Sequence, residues 1–251
     1  SAGMAKQGGI PVFAVYSTFL QRAYDMLLHD AAIDNLHVVF CVDRAGLVGD
    51  DGETHHGVFD VAYLNTIPNM TVLAPASFAE LEVMLERALF QLTGPVAVRY
   101  PRGGEGGYMG TAGEGPAAIL RQGNDITLVG YGTEMNDILE AADLLEKQGV
   151  QAEVIKLNQL SPLVSDLVEQ SVRKTRVMLV AEEQASQGCV GQRLAARLEL
   201  AGLSLRAILI NCGQGFVTHG AAALLKRDLF LDGAGIAKKA LEVLHCGKTP
   251  S

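Results

Sequence analysis

The stretch "HVVFCVDRAGLVGDDGETHHGVFD", His37 to Asp60, decides the fold. Its opening run "HVVFCV" is short, apolar and rich in β-branched valine, the composition of a strand buried on both faces. It passes directly into a loop crowded with ionisable groups, among them Arg44, Asp51, His55 and His56, interrupted by glycines. A buried strand that feeds a polar loop is the signature of an open α/β sheet, whose ligand crevice lies outside the carboxyl ends of its strands.

Runs of the same kind recur on either side: "IPVFAVY", "MTVLAP", "PVAVRYP", "DITLVGYG", "AEVIKLN", "RVMLVAEE" and "LRAILIN". Segments of helical period separate them, including "SFAELEVMLERALFQL", "NDILEAADLLEKQG" and "GQRLAARLELAG". Ser77 with Glu80 forms a capping-box pattern before the first, and the other two end in glycine. This alternation predicts an α/β protein built from mostly parallel sheets flanked by helices. The segment "PRGGEGGYMGTAGEGPAA", Pro101 to Ala118, breaks the rhythm with glycine and small residues and reads as a linker. The expected organisation is a domain over 1–105, a linker over 106–117 and a second domain over 118–251.

The chain has 251 residues, of which 49% are hydrophobic, enough for one large or two ordinary cores. Its apolar runs all fall short of the roughly 18–20 residues of a membrane span. A formal net charge of -8 argues against nucleic acid as a partner, so any anion would be bound locally. Cys41, Cys189, Cys212 and Cys246 form no C-x-x-C pair and read as reduced thiols of a cytoplasmic protein. "SAGMAKQGG" has no basic segment followed by a long apolar one, and so does not read as a secretory signal. Its abrupt start fits a chain cut from something longer, or ordinary processing.

The strand-end positions of the first half are polar: Tyr16, Ser17, Thr18, Phe19, Gln21 and Arg22 after one run, the Arg44 loop after the next, and Arg99, Tyr100 and Arg102 after "PVAV". Arg44 and Arg99 suit a phosphate or carboxylate, because guanidinium offers planar paired donors and keeps its charge. Each is equally well satisfied by a nearby carboxylate such as Asp43 or Asp60. His55 is either a surface residue or an imidazole tuned by its acidic loop, whose glycines permit close approach to a ligand. "DDGETHH" matches neither an EF-hand loop nor an H-E-x-x-H helix, so no metal ligands are assigned. Phe19 is a core residue or a stacking platform. In the second half, "VAEEQASQGCVGQRLA" is an anion site at a helix N-terminus or only a connection.

"YSTFLQRAYD" (Tyr16 to Asp25), "DRAGLVGDDGETHHGVFD" (Asp43 to Asp60), "IPNMTVLAP" (Ile67 to Pro75) and "VRYPRG" (Val98 to Gly103), in this order, resemble the 1-deoxy-D-xylulose-5-phosphate synthase family of transketolase-like enzymes. The resemblance implies a pyrimidine-binding domain followed by a transketolase C-terminal domain. It also implies condensation of pyruvate with glyceraldehyde 3-phosphate, with loss of carbon dioxide, for isoprenoid precursors, using thiamine diphosphate and magnesium in a homodimer. By this resemblance His55 and Asp51 are catalytic, Tyr16, Arg44 and Arg99 hold the aldehyde's phosphate, and Phe19 and Arg22 serve the cofactor.

The family's "THQG" is "THHG" here, with His56 in place of glutamine, which implies a tuned pocket with its chemistry kept. The glutamate of an "AEQHA"-type motif and the "GDG" motif for diphosphate and magnesium do not occur in the sequence. The resemblance therefore implies a partner, the N-terminal cofactor-binding domain, and an isolated chain without activity. Alternatives are the small subunit of a split transketolase or 2-oxo acid dehydrogenase, or a non-catalytic sugar-phosphate-binding module.

Overall fold

The computed structural model describes residues 1–110 and 115–246. The apolar runs form strands β1 (Val12–Tyr16), β2 (Val39–Asp43), β3 (Thr71–Leu73) and β4 (Val96–Arg99) in the first half. Two further strands follow, β5 (Ala117–Arg121) and β6 (Ile126–Gly130). The remainder are β7 (Ala152–Leu157), β8 (Gln159–Ser161), β9 (Val177–Ala181) and β10 (Arg206–Ile210). They make two five-stranded sheets, ordered β1-β2-β4-β3-β8 and β10-β9-β6-β7-β5. Each is parallel except at one edge, where β8 runs antiparallel to β3 and β5 antiparallel to β7.

The continuous apolar runs lie where both faces are covered. β4 and β6 are buried along their whole length, as is β2 up to Asp43. β1 lies at the sheet edge and leaves Val12 and Phe13 exposed. The expected helices appear at Phe78–Phe90, Met135–Glu146 and Val190–Leu200. Ser77 caps the first by accepting from the Glu80 backbone N–H at 3.1 Å. No helix among the described residues is long and apolar enough to cross a membrane.

The two halves share one interior. A single apolar cluster joins Phe40, Val72 and Ala97 of the first sheet to Val129, Ile155 and Leu157 of the second. Beside it the fully buried Lys156 and Glu80 pair at 2.9 Å, and the Tyr108 hydroxyl donates to Glu80 at 2.7 Å. Burial lowers the Lys156 pKa, and Glu80 acts against that shift. The expected linker is anchored in its described part: Tyr108 N–H donates to Asn136 and Ser77 donates to the Gly110 carbonyl, each at 2.7 Å. Residues 111–114 of that linker, and 247–251 of the second domain, lie outside the described residues.

Candidate functional site

β1, β2 and β4 end side by side, and their following loops meet at one mouth. The Arg44 loop folds back on itself through reciprocal backbone hydrogen bonds between Gly46 and Gly57, each 2.8 Å. A Cβ on Gly57 would lie 2.2 Å from the Arg44 carbonyl oxygen. One on Gly46, whose φ is +89°, would lie 2.4 Å from the Glu183 carboxylate. At Gly46 and Gly57 the missing side chain lets the chain approach itself closely.

Five of the expected site residues come together at this mouth. The Phe19 ring is stacked on Tyr16, with centroids 5.5 Å apart, and meets the edge of His55 at 5.4 Å. The Arg44 guanidinium lies 3.8 Å from the Tyr16 ring centroid. It also pairs with Asp43 at 3.2 Å and Asp51 at 3.4 Å. His55 Nδ1 is 2.9 Å from the Thr54 hydroxyl, which fixes the ring and leaves Nε2 for a ligand. Arg44 takes a left-handed φ of +56°, an uncommon conformation held by its backbone N–H donating to Asp43 at 2.6 Å. Alongside lies a cavity of about 360 Å³ bordered by Asp43, Arg44, Ser77, Tyr100 and Arg102. Desolvation, then Cys41 and Asp43, push the Tyr100 hydroxyl up to about 12, so it stays a neutral donor there. Arg22 is exposed on the next short helical turn, away from this cluster's contacts.

Arg99 does not join them. Its side chain is 7% exposed, and its Nε and Nη2 donate to the two oxygens of the buried Asp60 at 2.9 and 3.3 Å. Gln184 of the second half donates to Asp60 at 2.9 Å, and the Tyr131 ring lies 5.5 Å from the guanidinium. Burial opposes the charge on Arg99, but Asp60 keeps its pKa above the ordinary value. Of the two partners open to it from the sequence, an anion or a nearby carboxylate, the structure places Arg99 on the carboxylate of Asp60. Arg102, 47% exposed and 2.9 Å from Asp51, is the second guanidinium at the mouth. Spacing alone does not separate these two arginines.

The second half supports the mouth from behind. Glu183 accepts from the Leu47 N–H at 2.6 Å and from Lys226 at 2.9 Å. Lys226 also reaches Glu134 at 2.9 Å and Asp137 at 2.8 Å. His56 is buried: its Nδ1 accepts from the Val48 N–H at 3.1 Å, so Nε2 carries the proton and donates to the Thr218 carbonyl at 3.2 Å. It joins the loop to the second half and does not line the pocket. The helix N-terminus after "VAEEQ" is capped by Glu182, which accepts from Val190 and Gly191 N–H at 3.0 and 2.7 Å. The anion there is the protein's own carboxylate.

Comparison with known proteins matches residues 1–104 to the transketolase pyrimidine-binding domain and 115–236 to the transketolase C-terminal domain. The chain belongs to the transketolase family. A 1-deoxy-D-xylulose-5-phosphate synthase of Chlorobaculum tepidum is 44% identical over 96% of this chain and 39% of its own length. One of Heliobacterium modesticaldum is 41% identical over 99% of this chain, again 39% of its own length. The chain thus spans about two fifths of the length of these relatives. Among solved structures, a split-gene transketolase described as an inactive beta4 tetramer superposes with TM-score 0.87 at 25% identity, covering 98% of this chain and 80% of that one. A Pichia Stipitis transketolase shares the fold at TM-score 0.75, with 19% identity over 94% of this chain and 34% of that one.

In this transketolase-family chain the exposed face of Phe19, backed by Tyr16, fits a flat heteroaromatic ring. Among the described residues no group of three or more His, Cys, Asp or Glu gathers to hold a metal ion. Phe19 and Tyr16 are the residues whose chemistry suits the aromatic end of thiamine diphosphate, the cofactor that the transketolase family suggests.

Proposed function

We propose that this chain is the part of a 1-deoxy-D-xylulose-5-phosphate synthase that forms the pyrimidine side of the active site. The reaction condenses pyruvate with D-glyceraldehyde 3-phosphate and releases carbon dioxide. The observation that carries this reading is the meeting of Phe19, His55, Asp51, Arg44 and Arg102 at one mouth in a chain 44% identical to such a synthase. Thiamine diphosphate, when bound, supplies the carbanion chemistry. Phe19 and Tyr16 offer its ring a stacking surface, with Arg22 on the adjoining turn. His55 Nε2 gives or takes the proton at the reacting oxygen, and Asp51 accepts from a substrate hydroxyl. Arg44 and Arg102 turn toward the aldehyde's phosphate, trading a shared carboxylate for a stronger anion. Arg99 acts only by holding Asp60 and the strand end.

The remaining portion of the synthase would hold diphosphate and magnesium, in a cytoplasmic homodimer, and this chain by itself would be inactive. A second reading, a subunit of a split transketolase, is favoured by the close superposition on the split-gene protein over nearly the whole chain. Carbon dioxide release from pyruvate, dependent on glyceraldehyde 3-phosphate, separates them when measured for this chain alone and with the remaining portion of a related synthase. Activity only in the mixture, abolished by His55→Ala, is the expected result. Turnover by the chain alone, or a mixture active only with ketose-phosphate donors, would overturn the synthase reading.

A further inference from the structure

A second concave surface lies at the other end of the sheet. The candidate site opens past the carboxyl ends of β1, β2 and β4, whereas this groove meets the first half at Asn35, Thr71 and Thr93, at or before the start of β2, β3 and β4. Its far wall is the Val190–Leu200 helix of the second half, so the groove straddles both halves of the chain. Its volume is about 920 Å³.

The chain carries a net charge of -8. The groove lining contains arginine but no aspartate or glutamate. Arg193 and Arg197 stand one helical turn apart on the same face, and neither forms an ion pair among the described residues. Each is steadied by a single hydrogen bond to a backbone carbonyl, Arg193 to Leu160 at 3.3 Å and Arg197 to Leu163. Each of these bonds uses one N–H of its fork and leaves the other donors available. Desolvation, followed by the like charge of Arg197, lowers the Arg193 pKa, while Glu182 acts in the opposite direction. Asn69, Thr93 and Ser161 add neutral polar groups on the opposite wall.

We propose that this groove binds the phosphate or diphosphate group of a small molecule, held by Arg193 and Arg197 across from Asn69 and Thr93. A phosphate between the arginines offsets their mutual repulsion and offers acceptors that match two planar forks. The acidity of the rest of the surface disfavours a polynucleotide as the source of that phosphate. Because the ligand touches both halves, its binding would stabilise their arrangement and raise the melting temperature with concentration.

The test is calorimetric titration of the full chain with pyrophosphate and, separately, with inorganic phosphate. Arg44 and Arg102 form another anion-binding surface, so the titrations use the Arg44→Gln/Arg102→Gln chain, its fold checked by circular dichroism. Pyrophosphate binding is expected to persist there and to weaken at least tenfold when Arg193→Gln/Arg197→Gln is added. Thr93→Glu, which leaves both arginines in place and sets a carboxylate opposite them, is expected to weaken it by a similar factor. Tighter binding of pyrophosphate than of phosphate would mark a diphosphate ligand, and equal affinity a monophosphate. Absence of binding in the Arg44→Gln/Arg102→Gln chain, or binding that survives both Arg193→Gln/Arg197→Gln and Thr93→Glu, would overturn the proposal.

Discussion

Arg99 and Arg102 stand three residues apart at the end of one strand, and the contrast between them separates the seam of this molecule from its mouth. Arg99 spends two donors on both oxygens of a fully buried carboxylate, which Gln184 also contacts. Arg102 is half-exposed and shares Asp51 with Arg44. A charge with its partners complete in a low-dielectric interior cannot change them cheaply, whereas a solvated pair loses little on exchange. Charge at the seam therefore fixes the relation of the two halves. Charge at the mouth can exchange its partner at little cost.

The sharpest way to break this comparison is to remove each arginine. Arg99→Ala or Asp60→Ala leaves an unpaired buried charge and is expected to cost about 3–5 kcal/mol in urea unfolding. Arg102→Ala is expected to stay within about 0.5 kcal/mol of the parent. Equal losses would erase the distinction between seam and mouth. The next largest effect belongs to Glu183→Gln, which weakens charge-assisted bonds to Leu47 and Lys226 and is expected to cost about 1.5–3 kcal/mol. Burial works against Glu183 ionisation, but Lys226 and the Leu47 N–H hold its pKa below 4.5. Its contribution is thus complete above about pH 4.5 and is lost as pH falls through the folded value. Unfolding curves of parent and variant should converge in that acid range, and a gap that stays constant would remove Glu183 as an ionised tie.

Much of the fold was legible because parallel strands covered on both faces leave continuous apolar runs, as in β2, β4 and β6. β5 and β8 were not legible. "AAILR" is half-buried on an edge, and "QLS" is a strand only because β3 lies beside it. At the mouth, Tyr16, Phe19, Arg44, Asp51 and His55 could be singled out as residues following strands, which is where crevices form. The choice between Arg99 and Arg102 could not be read, since it turns on Asp60, 39 residues away, and on Gln184 behind it. The bond from Leu47 to Glu183 spans 136 residues and leaves no local trace in the sequence. Periodicity reports which residues are covered, but not which charge finds which partner across the fold.

The smallest expected effect tests whether the seam is saturated. Lys226 faces three carboxylates, Glu134, Asp137 and Glu183, within 2.8–2.9 Å. Its pKa is raised: burial opposes the charge, and the carboxylates around it, Glu183 foremost, more than compensate. One cation cannot neutralise three anions, and Glu134 is the most deeply buried of them. Burial raises the Glu134 pKa well above 4.5; Lys226 pulls the other way, and Glu183 and Asp137 add to the rise. The folded chain therefore keeps a proton on Glu134 at pH values where the unfolded chain has released it, and stability from this group falls as pH climbs above 4.5. Glu134→Gln keeps the shape and the acceptor toward Lys226 but removes the titration. It is expected to lie within about 0.5 kcal/mol of the parent near pH 5 and to gain on it toward pH 8 in urea unfolding. A variant that instead loses ground at pH 8 would show Glu134 ionised as a second necessary partner of Lys226. The seam would then hold unsatisfied charge of the kind found at the mouth, and the division between them would fail.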